Sequence, residues 1–143
     1  MSDKQQHIEL QKQWGDAVAS GNLDKLDDIL AGDFVDHDPG QQSPDREGVK
    51  AFFRGFRSAF PDLELEPVEL HADDEGYVTL RYNVRGTHRG EFMGFAPTGR
   101  RFETTAMQMA RFENGQCVER WGVTDRLRIL QDLGVLDAVP AEG

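Results

Sequence analysis

The stretch Val49–Leu70, VKAFFRGFRSAFPDLELEPVEL, contains the change of rhythm that decides the fold. Val49, Phe52, Phe53, Phe56, Ala59 and Phe60 recur at helical spacing, and a face so aromatic has to be largely buried. Pro61 ends that helix, because it disfavours helical geometry in the residue before it. From Asp62 the period drops to two. Leu63 and Leu65 alternate with glutamates, and Pro67 breaks the phase so that Val68 and Leu70 change parity, as a bulged edge strand requires. A buried helix running directly into an edge strand predicts that the helix fills a sheet that follows it.

Upstream of this stretch the pattern is helical. Lys4 to Ser20 places Leu10, Trp14, Ala17 and Val18 on one stripe. After Ser20-Gly21-Asn22, Asn22 is expected to cap a second helix carrying Leu23, Leu26, Ile29 and Leu30 as far as Gly32. Phe34 to His37 reads as a short extended piece ending in the turn-forming run Asp38-Pro39-Gly40, and Ser43-Pro44 supplies a cap and first-turn proline for the third helix.

Downstream the pattern is extended. The turn Asp73-Asp74-Glu75-Gly76 leads into Tyr77–His88, where Val78, Leu80, Tyr82, Val84 and His88 share one face and Thr79, Arg81, Asn83 and Arg85 the other. A loop punctuated by Gly90, Gly94, Pro97 and Gly99 carries Phe92 and Phe95. Arg101–Glu113 is a long strand and Asn114-Gly115 a strong hairpin signal. In the last strand, Cys117 to Thr124, the residues Cys117, Glu119, Trp121, Val123 and Asp125 fall on one parity. Leu127, Leu130 and Leu133 mark a final helix closed by Gly134. Helices segregated from an antiparallel sheet define an α+β class. Residues 1–143 read as one domain, with Pro140–Gly143 as a loose tail.

The 16 basic and 26 acidic side chains give a formal charge of −10, which repels phosphate backbones and anionic lipid, so neither nucleic acid nor membrane is an expected partner. Cys117 is the single cysteine and has no partner for an intramolecular disulfide, which fits a reducing compartment. Met1–Leu10 lacks a basic region followed by an apolar run, and no run of 18 apolar residues occurs, so the expected location is cytoplasmic.

Taken in order, Asp36-His37-Asp38-Pro39, Phe60-Pro61-Asp62-Leu63, Gly86-Thr87-His88, Gly90, Phe92, Gly94, Pro97-Thr98-Gly99-Arg100, Glu119, Trp121 and Asp125 resemble the SnoaL-like polyketide cyclase (ester cyclase) family of the nuclear transport factor 2-like superfamily. That resemblance implies a cystatin-like cone barrel, in which a curved antiparallel sheet wraps around N-terminal helices and encloses a hydrophobic pocket. It also implies a homodimer and ring closure by intramolecular aldol condensation without metal or cofactor. The acid/base aspartate of characterised members matches Asp125 by position.

Parity puts Asp125 on the side of Trp121, where desolvation would raise its pKa and make it a better base. The same residue stands where a helix begins, and capping is an equal reading. His88, on the apolar parity of its strand, is a candidate to orient Asp125 or protonate an enolate; a core histidine held by the backbone is the alternative. His37 is a third catalytic candidate near the pocket mouth, or else a turn residue. Strand alternation sends His37 away from Asp36 and Asp38, which argues against a metal site there. Trp14, Phe34, Phe56, Phe60, Tyr82, Phe92, Met107, Met109 and Trp121 form the expected pocket lining. Three functions fit these residues: a cyclase or isomerase acting on a small hydrophobic carbonyl ligand, a hydrolase of an ester or epoxide through activated water, and a non-catalytic ligand-binding dimer.

Overall fold

Aromatic crowding on one helix organises the interior. The computed structural model describes residues 3–38 and 43–136. Its helix α3, Arg46–Ala59, delivers Val49, Phe56 and Ala59 to the core, and Phe60 just beyond it is fully buried. The Phe60 ring lies 4.7 Å from Phe102, 5.0 Å from Phe92 and 5.1 Å from Phe56, so one side chain ties the helix to the sheet and to the loop after it. Such clustered rings add to the area they bury through edge-to-face contacts.

Two further helical pieces precede the sheet, α1 (Asp3–Ser20) and a short turn leading into α2 (Leu26–Ile29). The strands are β1 (Leu30–Asp36), β2 (Glu64–Ala72), β3 (Tyr77–Thr87), β4 (Arg101–Glu113) and β5 (Gln116–Thr124), and α4 (Arg126–Asp132) follows. The sheet order is β1-β5-β4-β3-β2. The last four form an antiparallel meander, whereas β1 joins β5 in parallel, so the sheet is mixed and unclosed. Val78, Leu80, Tyr82 and Val84 of β3 face inward as their alternation predicts, opposite Phe102, Ala106 and Ala110 of β4. Among the described residues no helix is long and apolar enough to cross a membrane.

The structure moves several boundaries. Leu30, expected in the second helix, opens β1 because its backbone pairs with Cys117; tertiary pairing overrides the helical period. Asn22 makes no side-chain cap. Asp45, not Ser43, caps α3, taking the Gly48 N–H at 2.9 Å while the Ser43 hydroxyl donates to the same carboxylate oxygen at 2.8 Å. In β2 the bulge falls between Pro67 and Glu69, which returns Leu70 to the side of Leu65 and leaves Val68 exposed. Of the turn Asp38-Pro39-Gly40 only Asp38 belongs to the described residues, and the tail Pro140–Gly143 lies outside them.

The largest correction concerns β5. Its register against β4 shifts so that Arg111 faces Glu119 and Phe112 faces Cys117, a bulge that breaks the two-residue alternation. Cys117 and Arg120 are therefore buried, while Glu119, Trp121 and Val123 turn to the outer face. Burial pushes the Cys117 thiol up to about 12, which leaves it without nucleophilic character at neutral pH.

The motifs around Phe60 and Gly86 meet each other. Asp62 accepts the Thr87 N–H and the Thr87 hydroxyl, both at 2.7 Å, and these bonds hold its carboxyl below its ordinary range. The N–H groups of Arg89 and Gly90 both donate to the Ala59 carbonyl, and a Cβ at Gly90 would stand 2.5 Å from the Ser58 carbonyl oxygen. Only glycine fits so close an approach. The sign of the Asp62 shift sets a pH dependence. A carboxyl whose pKa is lowered by folding stabilises the folded state above the unfolded-chain value, and that contribution is lost as pH falls through the folded value. Asp62→Ala is expected to lower the melting temperature by about 2–4 °C at pH 7, with the difference from the parent shrinking below about pH 4; calorimetry across that range checks both statements.

Candidate active site

Between α1 and the inner face of the sheet lies an apolar cavity of about 260 Å³. Trp14, Gly15 and Val18 of α1 form one wall, Leu65 and Leu70 of β2 with Leu80 of β3 the other, and Phe53 of α3 closes the side. Phe53, Leu65 and Tyr82 also border a second space of only about 20 Å³, whose lining includes Asp38, Arg120 and Thr124. A larger depression of about 810 Å³ lies between the start of α1 and the tips of the β2–β3 and β4–β5 hairpins. Acidic side chains line it and it is open to solvent, so it lacks the dry wall that carbonyl chemistry requires.

The polar end is built around Arg120. Its Nε donates to Gln108 Oε1 at 2.8 Å, and Nη1 lies 3.3 Å from both oxygens of Asp36 and 3.5 Å from Asp38 Oδ2. Gln108 passes the network on through its Nε2, which donates to Gln11 Oε1 at 3.0 Å. The Tyr82 oxygen also accepts from Arg120. The three charged side chains are almost sealed from water, with exposures of 5% for Arg120, 0% for Asp36 and 8% for Asp38. Room for the guanidinium comes from Gly122, where a Cβ would stand 2.5 Å from Arg120 Nη2. Opposing charges hold Arg120 protonated in spite of its burial.

Burial pushes the Asp36 carboxyl upward; Arg120 opposes this, and the carboxylate of Asp38 adds to it. Two acids therefore share the site with two guanidiniums, Arg120 and Arg126, and Asp36 is the acid that resists ionisation. Burial also raises the Tyr82 phenol, so it stays protonated at neutral pH. At the mouth of the narrow space Arg126, the first residue of α4, places its guanidinium 5.6 Å from the Phe52 ring centre and 3.7 Å from Asp38 Oδ1.

The residues expected to act together are scattered. Asp125 does not face an indole: it is exposed and caps α4, its Oδ1 accepting the Arg128 N–H at 3.0 Å. Trp121 lies on the outer sheet face with its ring stacked 4.9 Å from that of His37, whose Nε2 is 3.0 Å from Glu119 Oε2. His88 lies beyond the end of β3, fully buried, with Nδ1 accepting the Thr98 N–H at 3.2 Å; it organises the loop and makes no hydrogen bond to Asp125, which caps α4 instead. Trp14, Phe56 and Tyr82 border the cavity or the second space. Phe60 and Phe92 are core partners of Phe56, Phe34 packs edge-on behind Trp14, and Met107 and Met109 are exposed on the outer face because Gln108 takes the inward parity.

Sequence reading passed over Arg120, Gln108 and Gln11, and weighed Asp36 and Asp38 only as metal ligands. A signal existed in the glycine at position 122, since glycine inside a strand marks a place where something approaches the backbone closely. Arg120→Ala is expected to cost about 3–5 kcal/mol in urea unfolding, because it leaves buried carboxylates without their cation. Arg120→Lys restores only part of this, since an ammonium cannot serve four partners with the geometry of a planar fork.

Comparison with known proteins places this geometry. The family model described as SnoaL-like polyketide cyclase matches residues 8–133. IdmH from Streptomyces antibioticus, titled a candidate polyketide cyclase, is 34% identical over 90% of this chain and 98% of its own, with a TM-score of 0.79. AclR from Streptomyces galilaeus, titled a candidate hydroxylase, is 30% identical over 97% of this chain and 87% of its own, at a TM-score of 0.85. A candidate polyketide cyclase from Acidithiobacillus ferrooxidans is 27% identical over 96% of this chain and all of its own, at 0.80. No curated protein matches the chain. A family model spanning α1 to α4, together with structural relatives that cover nearly the whole chain, assigns this protein to the SnoaL-like polyketide cyclase family.

Proposed function

We propose that the protein is a cofactor-free acid/base enzyme that closes a ring, or shifts a proton, in a small hydrophobic carbonyl compound, with Asp38 as the base. The observation carrying this reading is the Asp38 carboxylate in a narrow space that shares Phe53, Leu65 and Tyr82 with the apolar cavity, held by a buried guanidinium and accompanied by a protonated phenol. Asp38 removes a proton alpha to the carbonyl, and the C–H electron pair moves into an enolate. Tyr82 and Arg120 donate to the enolate oxygen, the point where charge develops. The enolate carbon then attacks a second carbonyl of the same molecule. One C–C bond forms, and the new alkoxide takes a proton back from Asp38, so the product is an isomer of the substrate. Apolar walls fix the chain in the folded conformation this attack needs. The relatives carry names for different reactions, so the assignment rests on this chain's own residues.

Asp36 and Asp38 on one guanidinium also suit a hydrolase, with Asp38 activating water and Asp36 protonating the leaving oxygen. One experiment separates the two. Exchange of the alpha hydrogens of 2-tetralone for deuterium reports the enolate step without a full substrate. Asp38→Asn is expected to slow it about a hundredfold or more and Tyr82→Phe about tenfold, with binding retained. Exchange at the parent rate in Asp38→Asn sinks the proposal. Oxygen-18 entering an ester or epoxide product, with no alpha exchange, selects the hydrolase.

A second copy of the chain is the partner we propose for the outer sheet face, as the resemblance implies. Met107, Met109 and Val123 are exposed there beside Trp121, and Arg85 and Arg111 hold their neighbouring glutamates in fixed pairs around them. An apolar centre with an ordered polar rim is the anatomy of a subunit contact. Met109→Asp is expected to convert a dimer to a monomer in sedimentation velocity; an unchanged sedimentation coefficient removes this face from the assembly.

A further inference from the structure

Gly15 stands in the middle of α1, where glycine weakens a helix relative to alanine. No close approach explains it. An added Cβ there meets no atom within 4 Å. Gly55, in α3, has the same empty surroundings, but it is exposed and is not part of the cavity wall. Gly15 is part of that wall. It lies four residues after Gln11 and three before Val18, and these two side chains line the same cavity, so the helix turns position 15 toward the enclosed space.

The rest of this lobe shows what lies opposite. Leu65 and Leu70 approach from β2, on either side of the bulge at Pro67–Glu69, and the exposed residues Lys12 and Val68 border the cavity where it reaches the surface. That seam between α1 and the bulged edge strand is a way in from solvent. The charged residues of the lining, Lys12 and Glu69, are exposed at its rim, and Glu69 is paired with His71 and Arg81; Gln11 and Gln108 are engaged with each other, and the indole of Trp14 and the ring of Phe53 offer broad apolar walls. Such a lining selects an uncharged, flat hydrophobic body.

We propose that Gly15 is a ligand-contact and size-determining position. The ring system of a neutral carbonyl compound enters at the α1–β2 seam and lies across the bare Cα of Gly15, with its carbonyl directed past Phe53 toward Tyr82, Arg120 and Asp38. This inference rests on the acid/base reading for the direction of the carbonyl, but the seat of the ring system is tested separately. The missing side chain is the space the ligand fills, so each carbon added at position 15 shortens the longest ligand that fits.

The test uses the full chain with Trp121→Phe, which leaves Trp14 in the cavity wall as the only indole. The probe is 1-acetonaphthone, a neutral aromatic ketone, and its affinity is read from quenching of Trp14 emission. Gly15→Ala and the control Gly55→Ala are both expected to raise the melting temperature by about 2–4 °C, through helix propensity alone. Gly15→Ala is expected to weaken the probe at least twofold and Gly15→Met more than fivefold, while Gly55→Ala leaves the affinity unchanged. Smaller losses at position 15, an equal loss at position 55, or no quenching in the parent overturns the proposal. Asp38→Asn in the same background is expected to keep parental probe affinity and lose deuterium exchange. Normal probe binding in Gly15→Met together with lost exchange in Asp38→Asn would therefore discard the seat at Gly15 and keep the base.

Discussion

The guanidinium of Arg120 is the constraint on which the interior depends. It lies between Asp36 on β1 and Gln108 on β4, and reaches both from β5, so one buried cation links three adjacent strands on their inner face. The desolvation cost of three charged groups in an apolar interior is large, and a well-packed hydrophobic replacement is often at least as stable. What a hydrophobic replacement cannot provide is a carboxylate held in a defined orientation beside the narrow space. Asp36 accepts the Asp38 N–H and Arg120 reaches both carboxyls, and the parallel pairing of β1 with β5 brings the three together.

A second set of bonds fixes the other side of the cone and leaves the chemistry alone. Asp62 holds Thr87, the Ala59 carbonyl takes two N–H groups from the start of the next loop, and His88 receives the Thr98 N–H across that loop. These contacts lock the C-terminal end of α3 against the end of β3. Because Phe52, Phe53 and Phe56 project from that helix, the lock also sets where the wall of the narrow space stands. His88 spends its Nδ1 on the loop, and its buried Nε2 has no hydrogen-bond partner among the described residues.

Much of the fold was legible in the sequence, and the legible part was its apolar periodicity. The aromatic stripe of α3, the alternation of β3, the long β4 strand and the Asn114-Gly115 turn all carry local signals strong enough to survive tertiary context. The site was not legible because it depends on a bulge. One extra residue in β5 exchanges the inner and outer faces beyond it, turning Trp121 outward and Arg120 inward. Alternation read from Cys117 without that bulge placed an indole and Asp125 in the cavity. Reading β4 by hydrophobicity favoured Met107 and Met109 over Gln108 for the same reason: a polar residue on the inward parity is chosen by its partner, and the partner, Arg120, was assigned to the other face.

Glycine positions recover part of what periodicity loses. Gly122 and Gly15 share a property that apolar patterning does not register, an atom left out beside a functional space. At Gly122 the omitted side chain is replaced by a guanidinium from the same strand, two residues away, at a distance where a Cβ could not stand. At Gly15 no atom of another described element comes within 4 Å of an added Cβ. Gly55 gives up propensity in the same way without bordering a cavity, so it is the place of Gly15 in the cavity wall that carries the ligand proposal. The volume beside it, about 260 Å³, lies just under the range of sites that hold drug-sized ligands. With the polar end confined to the narrow space beyond Phe53, a compact ring system with a carbonyl on its leading edge fits this chamber, and a long extended chain does not.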